Sequence, residues 1–447
     1  AKPEDQAPLV EQMHRVSAIA NQHGRGRLAA VDRNSPYFGH LRLEENGVER
    51  DVLIGRVSHV EPSKNIRIVD WRNAPVSRLY YCYDEGDDYN ETFGTRPVSG
   101  KVLVRRAVTV TEGELRRVTA PEGTFVRKLN GEWKQIALEA SRLQGGQGKA
   151  LRPRALVEGT RKLGVGHDGL PREDKHLPEI TALIDRPQFD LITRPDSGLA
   201  VIRGGAGSGK TTVGLHRIAY LGYQNRDRYR PDKMLVVVYN QALESYIGKV
   251  LPSLGFAGVR IVTFGTWAAS LRKRLVRGLP KHYAHDTPPA ASRAKKHPRM
   301  LAILDEVAER HNSRNPRAVI DAWAEALTDR KLLTKHLVET DRRPMKPHEI
   351  TALIEWSVRQ QREIDEAERP GESGWLDEED EALLLRLYQR IRGPLRSASN
   401  RPLAYEHIMV DEAQDLSPIE LSLLLETASR RASVTLAGDS AQRLDLD

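Results

Sequence analysis

The chain has 447 residues, with 69 Lys+Arg against 61 Asp+Glu and a formal net charge of +8. That length allows roughly three domains with ample core, and the mild basic excess is compatible with a nucleic-acid or nucleoprotein partner without requiring one. One cysteine, Cys82, excludes an internal disulfide framework, and no run of 18 apolar residues long enough to span a membrane occurs. With no signal-peptide pattern read in the first residues, the expectation is a cytoplasmic protein without membrane contact.

Leu9, Met13, Val16 and Ile19 recur at helical spacing and Gly24 is a stop signal, so 1–34 reads as the end of a helical arm. The period then changes to two. Tyr37–Leu43, the Asn46-Gly47 turn and Asp51–Ile54 predict a hairpin, and Ile66–Trp71 and Val102–Val110 predict further strands of a β-rich module over 35–134. The acidic run Asp84–Asp88 reads as a solvated loop. Residues 135–197 read as a polar helical connector broken by Gly145–Gly148, with Arg152, Arg154, Arg161 and Lys162 on a solvated face. From Leu199 strands and helices alternate, and Met234–Val238 and Val259–Thr263 are near-continuous apolar runs of the kind buried parallel strands require. Segments 198–270 and 402–447 are expected to form two parts of one doubly wound parallel sheet. Between them 271–401 reads as a helical insertion whose basic, Pro/Ala-rich start, Lys281–Arg299, reads as mobile.

Leu199–Thr212 organises the chain. An apolar strand runs into Gly204-Gly205-Ala206-Gly207-Ser208-Gly209-Lys210-Thr211-Thr212, which matches G-x-x-x-x-G-K-[ST] with a strand before and a helix after. Glycines let the backbone wrap a polyphosphate so that successive N–H groups point inward, and the helix start adds its positive dipole end. Lys210 would reach the β- and γ-phosphates, and Thr211 would set its hydroxyl on Mg²⁺. A second strand ends in Asp411-Glu412. Beside a phosphate loop, the first carboxylate is placed to hold Mg²⁺ and the second to take a proton from attacking water. A third strand ends in Gly438-Asp439, with Gln442 close to its tip, where a neutral amide can hydrogen-bond a γ-phosphate. The expected fold is a RecA-like P-loop NTPase domain with ATP and Mg²⁺ as ligands.

Together these motifs resemble the first motor domain of superfamily 1 helicases of the UvrD/Rep type. The resemblance assigns Gln188 to the adenine edge, a role its bidentate amide suits. It assigns Val238–Leu243, with Tyr239 and Asn240, to contact with single-stranded nucleic acid, and Val262–Ala268 to the motif that follows. Ile54–Ser58, Asp70–Ser77 with Tyr80-Tyr81, Gly214–Leu221 and Leu376–Asp380 are similar to HelD-type helicase-like ATPases. That narrower resemblance implies a motor that binds RNA polymerase and drives nucleic-acid release and recycling. It also implies that the chain, from Ala1 to Asp447, is a piece of a longer protein whose second motor domain is absent, so that it would hydrolyse ATP poorly alone. Two rival readings remain. One is a 3′–5′ DNA helicase of repair or recombination, with Tyr239, Phe264 and Trp267 stacking on DNA or RNA bases, where core packing is the alternative role for each ring and an equal one for Phe264. The other is a non-catalytic polymerase-binding module with ATP as a structural ligand.

Overall fold

The computed structural model describes residues 31–61, 66–93, 96–128, 131–136, 181, 184–311, 314–339, 344–367, 371 and 373–439, in two units that divide between Asp185 and Arg186. The expected N-terminal helix and most of the 135–197 connector lie outside the described residues.

In the first unit β1 (Gly39–Glu45) and β2 (Val48–Gly55) pair antiparallel through Asn46 and Gly47. Both turn residues have positive φ, 52° and 77°, as a two-residue hairpin needs. Strands β3 (His59–Glu61), β4 (Ile66–Asp70), β5 (Asp88–Phe93), β6 (Arg96–Thr111), β7 (Glu114–Ala120), β8 (Gly123–Arg127) and β9 (Trp133–Ile136) extend this pair to nine strands. Their order is β3-β4-β2-β1-β6-β7-β8-β9, with β5 also on β6. Helix α1 (Ala74–Cys82) starts with Pro75 in its first turn and buries Leu79, Tyr80 and Tyr81. It lies so close to β1 that a Cβ at Gly39 would stand 2.7 Å from the Tyr80 ring. The acidic run Asp84–Asp88 carries ion pairs from Asp84 to Arg105 and from Glu85 to Arg106. Asp70-Trp71-Arg72 is a buried corner. Arg72 donates through Nε and Nη2 to the two oxygens of Asp70 at 2.9 and 2.6 Å, and through Nη2 to the Arg56 carbonyl at 3.0 Å.

The second unit opens with helix α2 (Arg186–Ile192) and then alternates β10 (Gly198–Arg203), α3 (Lys210–Gln224), β11 (Met234–Val238), α4 (Gln241–Ser253), β12 (Arg260–Thr263) and α5 (Phe264–Leu275). The chain returns to the sheet as β13 (Tyr405–Val410), α12 (Pro418–Glu426) and β14 (Ala428–Gly438). Every strand pair is parallel and the order is β10-β14-β13-β11-β12. All five carboxyl ends therefore point to one edge, where open α/β sheets place ligands. The strand carrying the glycine-rich loop sits beside β14, and β14 beside β13, so three loops distant in sequence become neighbours.

Between α5 and β13 the chain forms α6 (Pro289–Lys296), α7 (Met300–Arg310), α8 (Ala318–Thr328), α9 (Arg330–Thr334), α10 (Pro347–Asp365) and α11 (Asp380–Arg392). Their buried faces join the apolar side of β11, β12 and β13 in one core containing Trp267, Trp323 and Leu383. The start of this segment corrects the expectation of mobility. Lys295 of α6 is fully buried, with its ammonium 2.5 Å from Asp377 and 2.6 Å from Asp380. The remaining carboxylate lone pairs accept from Thr287, Trp323, Trp356, Gln360 and the Asp377 N–H. Beside it, buried Arg272 of α5 pairs with Glu381 of α11 at 3.0 Å. Buried charges are tolerated when paired and saturated with hydrogen bonds, and this network draws four helices onto the lysine. A basic composition alone does not reveal a lysine that turns inward.

Candidate nucleotide site

The loop after β10 turns through Gly207 and Gly209, with φ of 75° and 83°, a region a side chain resists. It hands the chain to α3 at Lys210. Lys210 is nearly buried and folds back over the loop, donating from Nζ to the Gly204 carbonyl at 2.9 Å and the Gly205 carbonyl at 3.1 Å. Gly205, Ala206 and Gly207 face solvent. The lysine therefore holds the loop's shape with two neutral acceptors that anionic oxygens can replace.

Asp411 leaves the end of β13, its N–H donating to the Val237 carbonyl at 2.9 Å. Thr211, 200 residues earlier, donates its hydroxyl to Asp411 Oδ2 at 2.7 Å. Asp411 is 3% exposed, and its Oδ1 has no hydrogen-bond partner among the described residues. Burial raises its pKa above the ordinary carboxylate value, against the lowering effect of the Thr211 hydrogen bond. A hydroxyl and a carboxylate with one unpaired buried oxygen form the hard-oxygen donor set that Mg²⁺ takes. The residues present fit that ion.

Glu412 is placed by strain. Its φ of 50° and ψ of 46° are left-handed, a conformation uncommon for residues other than glycine and concentrated at functional sites. The amide of Gln414 donates to Glu412 Oε2 at 2.8 Å, and its own oxygen accepts the Asp439 N–H at 3.0 Å. Gln414 thus ties the second acid of the Asp411-Glu412 pair to the tip of β14. A Cβ at Gly438 would stand 2.6 Å from that amide oxygen. No role for Gln414 follows from the sequence alone; its place between Glu412 and Asp415 is the available signal. Gln442, expected to sense the γ-phosphate, lies outside the described residues.

Gln188 lies on α2 and donates from Nε2 to the Ser208 carbonyl of the loop at 3.4 Å. The amide expected to read adenine is therefore beside the phosphate loop. The nucleic-acid residues separate into two sets. Tyr239 is 56% exposed after β11, and Tyr246, which no sequence motif marks, is 53% exposed in the second turn of α4. Asn240 caps α4, its side-chain oxygen accepting the Leu243 N–H at 2.9 Å. Phe264 is nearly buried and Trp267 fully so, their rings 5.7 Å apart in the core. The base stacking expected of Phe264 and Trp267 is corrected to core packing: both point down from α5 into the apolar layer, and neither offers a face to solvent.

A parallel sheet with a phosphate loop, a hydroxyl–carboxylate pair and a strained second acid at one edge defines a P-loop NTPase motor. The family model for the UvrD/REP helicase N-terminal domain matches residues 186–444, and that for the N-terminal domain of DNA helicase IV, HelD, matches residues 3–122. The chain belongs to the UvrD/REP helicase family and is of the HelD type. No curated protein matches it. It carries the helicase-like motor of an ATP-hydrolysing class of enzyme, and family membership implies the use of nucleotide and a divalent metal in general terms. No helix among the described residues is long and apolar enough to cross a membrane.

Proposed function

We propose that the chain is the ATP-binding part of a HelD-type motor that engages RNA polymerase and drives release of bound nucleic acid. The observation that carries the nucleotide reading is the Thr211–Asp411 hydrogen bond with the orphaned Asp411 Oδ1. Thr211 and Asp411 would hold Mg²⁺, which when bound neutralises phosphate charge. Lys210 would exchange the Gly204 and Gly205 carbonyls for phosphate oxygens. Glu412, oriented by its backbone and by Gln414, would accept a proton from the attacking water. Gln188 would read the base, and Gln442 would report the γ-phosphate. The match over residues 3–122 supports the HelD type, and RNA polymerase as partner is what the resemblance to that type implies. The test is co-sedimentation of the complete HelD-type motor, with both motor domains, with core RNA polymerase, followed by release of labelled nucleic acid on ATP addition. Polymerase binding with ATP-dependent release is expected; absence of both would overturn the polymerase reading.

The exposure of Tyr239 and Tyr246 favours a second reading, a DNA helicase that stacks single-stranded bases on these rings. Unwinding of a tailed duplex without polymerase would select it. Unchanged ATP affinity in Lys210→Ala would refute the phosphate-loop assignment beneath both readings.

A further inference from the structure

Arg217 lies two turns beyond Lys210 on α3, a spacing that puts both on one continuous rod. It is 1% exposed. Among the described residues it makes no ion pair; its two terminal nitrogens donate to neutral oxygens, while Nε has no hydrogen-bond partner among them. Nη1 donates to the carbonyls of Leu191, Ile192 and Arg194 at 3.3, 3.1 and 3.0 Å. Nη2 donates to the Pro195 carbonyl at 2.9 Å and to the Ser433 hydroxyl at 3.3 Å. A fully buried cation without a carboxylate is costly, so its partners must compensate closely. Two of these acceptors, Leu191 and Ile192, are orphan carbonyls at the C-terminal end of α2, the negative end of that helix, and Arg194 and Pro195 carry the chain on from it.

Helix α2 has seven residues, too few to hold itself in water without tertiary support. Phe189 and Ile192 anchor it in the core, and Arg217 fixes its exit. Gln188 sits one turn before the capped carbonyls, its amide directed at the Ser208 carbonyl of the phosphate loop. One helix therefore carries, at its first turn, the groups that face phosphate and, two turns on, the group that fixes the arm facing the base.

We infer that Arg217 is a positioning residue for nucleobase selection: by capping α2 it sets the distance between Gln188 and the phosphate loop, and so enforces preference for an adenine nucleotide. This rests on the ATP reading above. The test is calorimetric affinity for ATP, GTP and inorganic tripolyphosphate, in the unmodified chain, in Arg217→Lys and in Arg217→Met. The expected result is a loss of at least fivefold in the ATP:GTP ratio in both variants, with tripolyphosphate affinity changed less than twofold. In a Gln188→Ala background, Arg217→Lys should leave the ratio unchanged, since Arg217 acts through Gln188. Should Arg217→Met not fold, Arg217→Lys, which keeps the charge but not the fork, carries the test. An unaltered ratio in the folded variants would overturn the inference. So would a parallel loss of tripolyphosphate binding, or an absence of ATP preference in the unmodified chain. Failure of tripolyphosphate to bind the unmodified chain, or its equal binding by Lys210→Ala, would instead sink the phosphate-loop reading itself.

Discussion

Asp411→Asn should move stability and ligand binding in opposite directions. Asp411 is buried, its Oδ1 is unpaired among the described residues, and burial raises its pKa. A folded-state pKa above the unfolded one means that the native chain binds more protons between the two values. Its stability therefore falls as pH rises through that interval, and the penalty persists at neutral pH. An unsatisfied buried acceptor costs about 1–3 kcal/mol, more when charged. Asparagine keeps an oxygen for the Thr211 hydroxyl but leaves an unpaired amide where Oδ1 was, so roughly 1 kcal/mol should be recovered rather than the whole. For a unit of this size that is about 2–4 °C in Tm. Nucleotide binding should respond the other way, because the variant loses the formal charge that is proposed to face Mg²⁺. Two unit charges about 4 Å apart near a protein surface interact by roughly 4 kcal/mol before desolvation. A loss of at least about 1.4 kcal/mol, tenfold in affinity, is therefore expected in Mg²⁺-dependent ATP binding. The assays are thermal melting without nucleotide, and ATP titration with Mg²⁺ or with chelator. A variant that melts lower and keeps its Mg²⁺ enhancement would refute the reasoning, since that is how a purely structural carboxylate behaves. On acidification the unmodified chain should lose Mg²⁺-assisted affinity at a higher pH than an ordinary aspartate titrates, and Asp411→Asn should not.

Gln414→Leu removes both links between Glu412 and the tip of β14; it should cost about 1–2 kcal/mol of stability and slow ATP turnover without weakening ATP binding, so weakened binding at unchanged turnover would contradict the role. Lys295→Met leaves two buried carboxylates without their cation and should cost about 3–5 kcal/mol; denaturant unfolding within about 1 kcal/mol of the unmodified chain would show the network to be dispensable. His407 is fully buried, and burial together with the Arg217 charge pushes its pKa down to about 3. The native chain then binds fewer protons than the unfolded one below an unfolded pKa of about 6.5, so as pH falls from about 6.5 to about 3 its stability should fall by up to about 1.4 kcal/mol per pH unit; an equal slope in His407→Leu would exclude this origin. Trp267→Ala should cost about 3–5 kcal/mol of stability, whereas Tyr239→Ala should leave melting unchanged and weaken single-stranded DNA binding by about 1–3 kcal/mol; the reverse pattern in fluorescence anisotropy and melting would overturn the assignment of the two rings.

The chemistry of the site was legible because its parts are local. A phosphate loop needs glycines, a lysine and a hydroxyl at set spacing, and Gly204–Thr211 contains all of them in one turn. Asp411-Glu412 was legible as the end of an apolar strand. Their adjacency follows from the parallel order β10-β14-β13, which alternating strands and helices suggest but do not fix. What stayed hidden depends on direction. Trp267 and Tyr239 are both aromatic residues just past a strand, yet one turns into the core and the other into solvent. Lys295 sits in a stretch whose basic, proline-rich composition suggests solvent, and only the distant Asp377 and Asp380 reveal that it is buried. The role of Gln414 depends on a backbone N–H 25 residues away, which no local pattern encodes.

The stretches whose resemblance is to the HelD type differ from the motor motifs, and the difference has a physical cause. Asp70 and Arg72 pair inside the first unit, Arg217 caps α2, and Asp377 and Asp380 enclose Lys295. Each places a charge in the interior and sets it against neighbours fixed in direction. A buried apolar side chain tolerates many substitutes of similar volume, whereas a buried charge tolerates few, because any misplaced partner leaves it unpaired. Residues of this kind therefore mark a particular architecture more sharply than they mark a chemistry. Gly204–Thr211 and Asp411-Glu412 face the open sheet edge and can serve any nucleotide motor. Within the second unit, Arg217 and Lys295 fix where α2 and α6 sit against their neighbours.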